Sequence, residues 1–151
     1  MATRSIIKVS YGQTNITLYR HWDGYLAEGG YDLACILKHK TNAESFIKQL
    51  ITQKRGLSSH EIDTPLYEIV NSDNVGEEFK YIFNFSFDGH LDLKVEKREG
   101  WTESYWKTVF KGNGDPKEVV KDFLRICKED RLAIEERIKT RIQQGEMVSL
   151  S

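Results

Sequence analysis

From Phe79 to Phe87 every second residue is aromatic: Phe79, Tyr81, Phe83, Phe85 and Phe87 alternate with Lys80, Ile82, Asn84 and Ser86. A period of two marks a strand, because successive side chains point to opposite faces, and five rings on one face call for a sheet looking into an apolar core. Asp88-Gly89 follows, a pair suited to a type I′ turn with positive φ at both positions, and it returns the chain into Leu91, Leu93 and Val95. After Gly100 the run Trp101 to Phe110 is again rich in aromatic and β-branched residues. The centre of the chain therefore reads as an antiparallel meander.

Two strands precede it. Ser5 to Tyr11 sets Ile7, Val9 and Tyr11 on one face, and Ile16 to Trp22 sets Ile16, Leu18 and Trp22 against Thr17, Tyr19 and His21. The polar join Gly12-Gln13-Thr14-Asn15 makes them an antiparallel hairpin. Leu66 to Val70 adds a short strand, and Asn71-Ser72-Asp73-Asn74 a turn. Between hairpin and meander, Leu33, Ile36 and Leu37 fit one short helix. Thr41 and Glu44 read as a capping box for a second, with Phe46, Ile47, Leu50 and Ile51 as its stripe and Lys54-Arg55-Gly56 as its end. Leu57 to Pro65 reads as a surface loop, a lip over a pocket.

Gly112-Asn113-Gly114 ends the sheet, and Asp115 as N-cap with Pro116 in the first turn opens a long helix from Pro116 to Gln144. Its apolar positions are Val120, Leu124, Cys127, Ile134, Ile138 and Ile142. At about 1.5 Å per residue it is roughly 40 Å long, longer than a domain of this size is wide. The second half keeps a narrow isoleucine seam between charged flanks, as a helix does when its partner is another helix. A homo-oligomer through residues 116–144 is the expectation. The fold class is α+β: an antiparallel sheet of five or six strands, built as a hairpin plus a meander, with two short helices and one long C-terminal helix.

A chain of 151 residues suits a single domain, 1–151, with one hydrophobic core. Its 22 basic and 23 acidic side chains leave a net charge of -1, so no global field draws it to duplex nucleic acid or to a membrane surface, and any polyanion site must be local. Cys35 and Cys127 fall in apolar helical patterns with no CxxC spacing, which reads as two reduced thiols. With neither a leader-like start nor a run of membrane-spanning length, a cytoplasmic protein is expected.

The densest chemistry lies in Tyr19-Arg20-His21-Trp22-Asp23-Gly24-Tyr25, where a strand must give way to a glycine-containing loop. No catalytic spacing is completed: there is no G-x-S-x-G, no P-loop and no third ligand near His21 and Asp23 to hold a metal. No catalytic residue, metal or cofactor is assigned. The expected activity is binding of a small anionic, nucleotide-like ligand by Arg4, Tyr19, Arg20, His21, Trp22, Asp23 and Tyr25. Arginine would pair with phosphate, Trp22 or Tyr25 would stack, and Asp23 would accept from a ribose or base edge. Two other readings stand beside it: a nucleotide hydrolase with His21 and Asp23 as an acid–base pair, and an inhibitor that docks on a host protein through the sheet. Trp101, Tyr105, Trp106, Lys107 and Lys111 resemble a stacking platform for bases, although aromatic strand residues more commonly face a core or an interface.

Ala2-Thr3-Arg4-Ser5 and the His21-Trp22-Asp23-Gly24-Tyr25 loop resemble a family of short tailed-phage and prophage proteins, which have an ATRS strand and an HWDGYP loop before a helix. Glu77-Glu78-Phe79-Lys80-Tyr81-Ile82-Phe83 is similar to a later strand of that family. Leu26 stands where the family usually has proline, and the long terminal helix has no counterpart in it. The resemblance covers residues 2–37 and 77–95. It implies a phage-type accessory protein in the cytoplasm of an infected host cell, with sequestration of a host immune signalling nucleotide, an anti-defence role, as the plausible task.

Overall fold

The computed structural model describes residues 3–55, 64–72, 76–100 and 106–145. It is an α+β protein with six strands in one sheet: β1 (Ser5–Tyr11), β2 (Thr14–Arg20), β3 (Glu68–Val70), β4 (Phe79–Phe85), β5 (Leu91–Arg98) and β6 (Trp106–Gly114). The order across the sheet is β3-β2-β1-β4-β5-β6. Hairpin and meander are both present. They are joined side by side by a parallel pair, β1 with β4, in which Ile7 lies opposite Tyr81 and Val9 opposite Phe83. Both strands are thereby buried in mid-sheet, and the inward row Leu18, Ile7, Tyr81, Val95 runs across four strands with no exposure.

Three helices cover the inward face: α1 (Tyr31–His39), α2 (Ala43–Thr52) and α3 (Pro116–Gln143), with a single π-helical turn, Leu26–Gly30, leading into α1. Leu33 and Leu37 of α1, Phe46 and Leu50 of α2, and Val119, Phe123 and Cys127 of α3 close the core over the strand aromatics. Phe46 meets Phe83 at 4.9 Å between ring centroids, and Phe123 meets Tyr81 at 6.2 Å. Phe123 is the largest core residue of α3, at the three-residue step from Val120.

Several local expectations are corrected. The cap of α2 is Asn42, whose side chain accepts from the Ser45 amide, so the Thr41–Glu44 box is displaced by one residue. Four of the five rings face the core. Phe87 does not, because β4 ends at Phe85 and the chain turns through Ser86–His90, leaving Phe87 81% exposed. In that turn only Gly89 has positive φ, +86°; the Ser86 hydroxyl bonds the Asp88 carboxylate and accepts from the His90 amide, a wider loop than a two-residue type I′ turn. Gly112-Asn113-Gly114 belongs to β6, since Leu93 pairs with Gly112, and the Phe110 ring and Val119 crowd the space a side chain there would need. β2 ends at Arg20, two residues before Trp22. Trp101, Tyr105 and most of the 57–65 loop lie outside the described residues, as do Asp73 and Asn74 of the expected turn.

Candidate functional site

Alternation carries Arg20 into the interior. It continues the inward row Ile16, Leu18, and is 5% exposed. Its Nε donates to the Trp22 carbonyl at 2.7 Å, and its Nη1 donates to Asp32 at 2.7 Å and to the Tyr67 hydroxyl at 3.1 Å. Burial opposes the charge, but Tyr67 and the Asp32 carboxylate more than offset it, so the guanidinium pKa lies above its ordinary value. Through these three bonds the cation ties β2 to α1 and to the segment before β3.

The loop that follows is fastened from both sides. Asp23 adopts φ +54°, a left-handed conformation tolerated by aspartate, and turns the chain so that the Gly24 amide donates to the Thr3 carbonyl at 2.8 Å. A Cβ on Gly24 would lie 2.7 Å from that of Ser5, so only glycine fits beside β1. The buried Tyr81 hydroxyl donates to the Gly24 carbonyl at 2.6 Å, and burial raises its pKa well above the usual phenol value. From α3, Asp130 accepts the Ala27 amide at 3.1 Å and Arg131 donates to the Ala27 carbonyl at 3.0 Å while lying 4.0 Å over the Tyr31 ring.

Of the seven expected site residues, Arg20 faces inward and Tyr25 packs half-buried against the core. Tyr19 faces the opposite side of the sheet, where its hydroxyl and His21 Nδ1 are 2.6 Å apart. The His21 ring stands edge-on to Trp22 at 4.6 Å, and Arg55 lies 5.6 Å over the 42% exposed indole. Asp23 is exposed. Arg4 precedes β1, its carbonyl accepts from Glu78 and its guanidinium packs over Gly76. These residues are thus divided between the two faces of the sheet. His21 Nδ1 is engaged by the Tyr19 hydroxyl rather than by Asp23.

A cavity of about 620 Å³ lies elsewhere, in a groove between α1 and the first half of α3. Val120 and Leu124 form its apolar floor. Around the rim stand Lys117, Lys121, Arg125 and Lys128 from α3, with Lys38 at the end of α1 and Thr41 of the α1–α2 connection across from them. Among the described residues no carboxylate lines it. Arg125 pairs with Asp122 at 3.6 Å, whereas the ammonium groups of Lys38, Lys117, Lys121 and Lys128 make no ion pair or hydrogen bond among the described residues. Four unneutralised lysines around one hollow repel each other and favour an anion there.

This site escaped the sequence reading, though part of its signal was present. Lys117, Lys121, Leu124 and Lys128 fall at i, i+4, i+7 and i+11, one stripe of a helix, while Glu118, Asp122 and Glu129 fall on the next. Only the fold brings Lys38 to it. Cys127 lies on the core side of the same helix, where burial pushes its pKa up to about 12. Among the described residues no three side chains are grouped to hold a metal ion, and no helix is long and apolar enough to cross a membrane. The chain matches no protein-family model, no curated protein and no solved structure.

Proposed function

We propose that this protein binds a small anionic, nucleotide-like ligand without transforming it, and that the ligand sits in the groove between α1 and α3. The observation that carries this reading is the set of lysines without counter-charges around an apolar floor, in a hollow of about 620 Å³. Small-ligand pockets fall in the same range of volume, and an apolar floor with a charged rim suits a molecule with a flat hydrophobic part and phosphates. The hairpin end contributes by holding α1 in place through Arg20 and Asp32, which fixes the wall that carries Lys38. In the phage-type setting that the ATRS and HWDGY stretches suggest, such binding would remove a signalling nucleotide from the host.

Calorimetric titration with adenosine triphosphate tests the reading. Binding at low salt, lost in Lys117→Glu/Lys121→Glu and kept in Trp22→Ala, is the expected result; equal binding by the double variant overturns it.

The second part of the proposal is self-association through the end of α3. Beyond Ile134 every described residue of the helix is exposed, with Ile138 at 44% and Ile142 at 56%, continuing the stripe that Cys127 begins. A dimer by light scattering that Ile138→Glu dissociates is expected, and a monomer at micromolar concentration contradicts it.

A further inference from the structure

The basic groove does not end at Thr41. A second hollow of about 360 Å³ shares that residue as a wall, and on its far side are Tyr11 and Phe87. These two rings come from different hairpins, stand 5.1 Å apart, and are 41% and 81% exposed. Nothing in the fold of the described residues covers them.

Register explains why the two features meet. Tyr11 pairs with Phe85, Phe85 with Leu91, and Leu91 with Gly114, so the tips of both hairpins and the start of α3 lie at one end of the sheet. Lys117 therefore stands at the same end as the aromatic ledge, and the cations lead away from it along the helix. From Lys117 to Lys128 the helix advances about 16 Å, too far for one phosphate to span.

We infer that the ligand of this groove is a short single-stranded oligonucleotide, its phosphates along Lys117, Lys121 and Lys128 and a base against Tyr11 and Phe87. This inference rests on the proposed anion site and specifies what occupies it. A row of cations beside exposed rings is the arrangement that single strands use, phosphates for affinity and ring faces for bases of any sequence. Duplex does not fit, because the ledge needs an unpaired base. Glu44 also borders the second hollow, but it is paired with Lys48 at 3.1 Å.

The test is fluorescence anisotropy with a labelled oligothymidylate of about eight nucleotides, with tripolyphosphate as the competitor that has charge and no base. The full chain should bind the oligonucleotide at least about tenfold more tightly than tripolyphosphate, with a slope of log affinity against log salt of about -3 for four to five displaced counterions. Phe87→Ala should weaken the oligonucleotide about tenfold and leave tripolyphosphate unchanged. Lys121→Glu should weaken both. If tripolyphosphate binds and depends on Lys121, yet the oligonucleotide is no tighter or Phe87→Ala has no effect, the inference fails and the anion site stands. If neither probe binds, or Lys121→Glu binds both as well as the parent, the anion site itself fails. Phe87 and Lys121 are exposed, so neither substitution removes core packing.

Discussion

The end of the first hairpin and the groove beside α3 both gather cations near aromatic or apolar surface, but they hold them in opposite ways. Arg20 is nearly buried, with three acceptors within 3.1 Å. The groove lysines are exposed and have no acceptor at all among the described residues. A guanidinium that gives three of its five N–H donors to the fold stabilises it and has fewer left for a ligand. Unpaired ammonium groups around a hollow add nothing to the fold and are available to a ligand. Perturbing the first region should therefore change stability, and perturbing the second should change binding.

The largest expected effect on stability comes from alkali. Cys127 and Tyr81 lie beneath the fastened loop and hold their protons more tightly folded than unfolded. Their contribution is fully present below the unfolded values, near 9 for the thiol and 10 for the phenol, and is lost as pH rises through the folded ones. For Cys127, which titrates folded at about 12, the loss between those limits is on the order of 4 kcal/mol. Urea midpoints across this alkaline range should fall steeply, and Cys127→Ala should flatten the fall. An unchanged pH profile in that variant would show that the thiol is solvated.

Arg20→Ala comes next. It leaves the Tyr67 hydroxyl and the Trp22 carbonyl without their partner and Asp32 without its counter-charge, which should cost about 3 kcal/mol. Asp32 is partly exposed and can take up water, so the loss should lie at the lower end for a broken buried pair. Denaturant unfolding measures this, and a loss below about 1 kcal/mol would mean that the clasp is ornamental to stability. A smaller effect, about 1 to 2 kcal/mol, is expected for Tyr81→Phe, which removes only the hydrogen bond to the Gly24 carbonyl.

Much of the fold was legible because its signals were periodic. Alternation from Phe79 to Phe85 placed β4, and Asp115-Pro116 with steps of three and four placed α3. The parallel pairing of β1 with β4 was not legible, since nothing local in two buried strands says which edge of a hairpin the next strand will join. Phe87 followed the pattern by one residue too many, and only the Ser86–His90 hydrogen bonds reveal that the strand has ended.

The candidate site was legible in inverse proportion to its density. Tyr19 to Tyr25 drew attention because six polar or aromatic side chains stand within seven residues, yet the inward alternation Ile16, Leu18, Arg20 already placed the arginine among core positions. The backbone of the loop is satisfied by Arg20 from within the stretch and by Tyr81, Asp130 and Arg131 from distant elements, which no local pattern reveals. The groove lysines are spaced along a helix and look like a solvated face, and only the approach of Lys38 and Thr41 makes that face a hollow.

The most direct test of the contrast is one crossed measurement: unfolding free energy and adenosine triphosphate affinity, each determined for Arg20→Ala and for Lys117→Glu/Lys121→Glu. Arg20→Ala should lose about 3 kcal/mol of stability while its folded fraction binds as the parent does, and the lysine variant should keep its stability within about 0.5 kcal/mol and lose binding. Ligand affinity that disappears with Arg20 in still-folded protein, and persists without the lysines, would contradict the account.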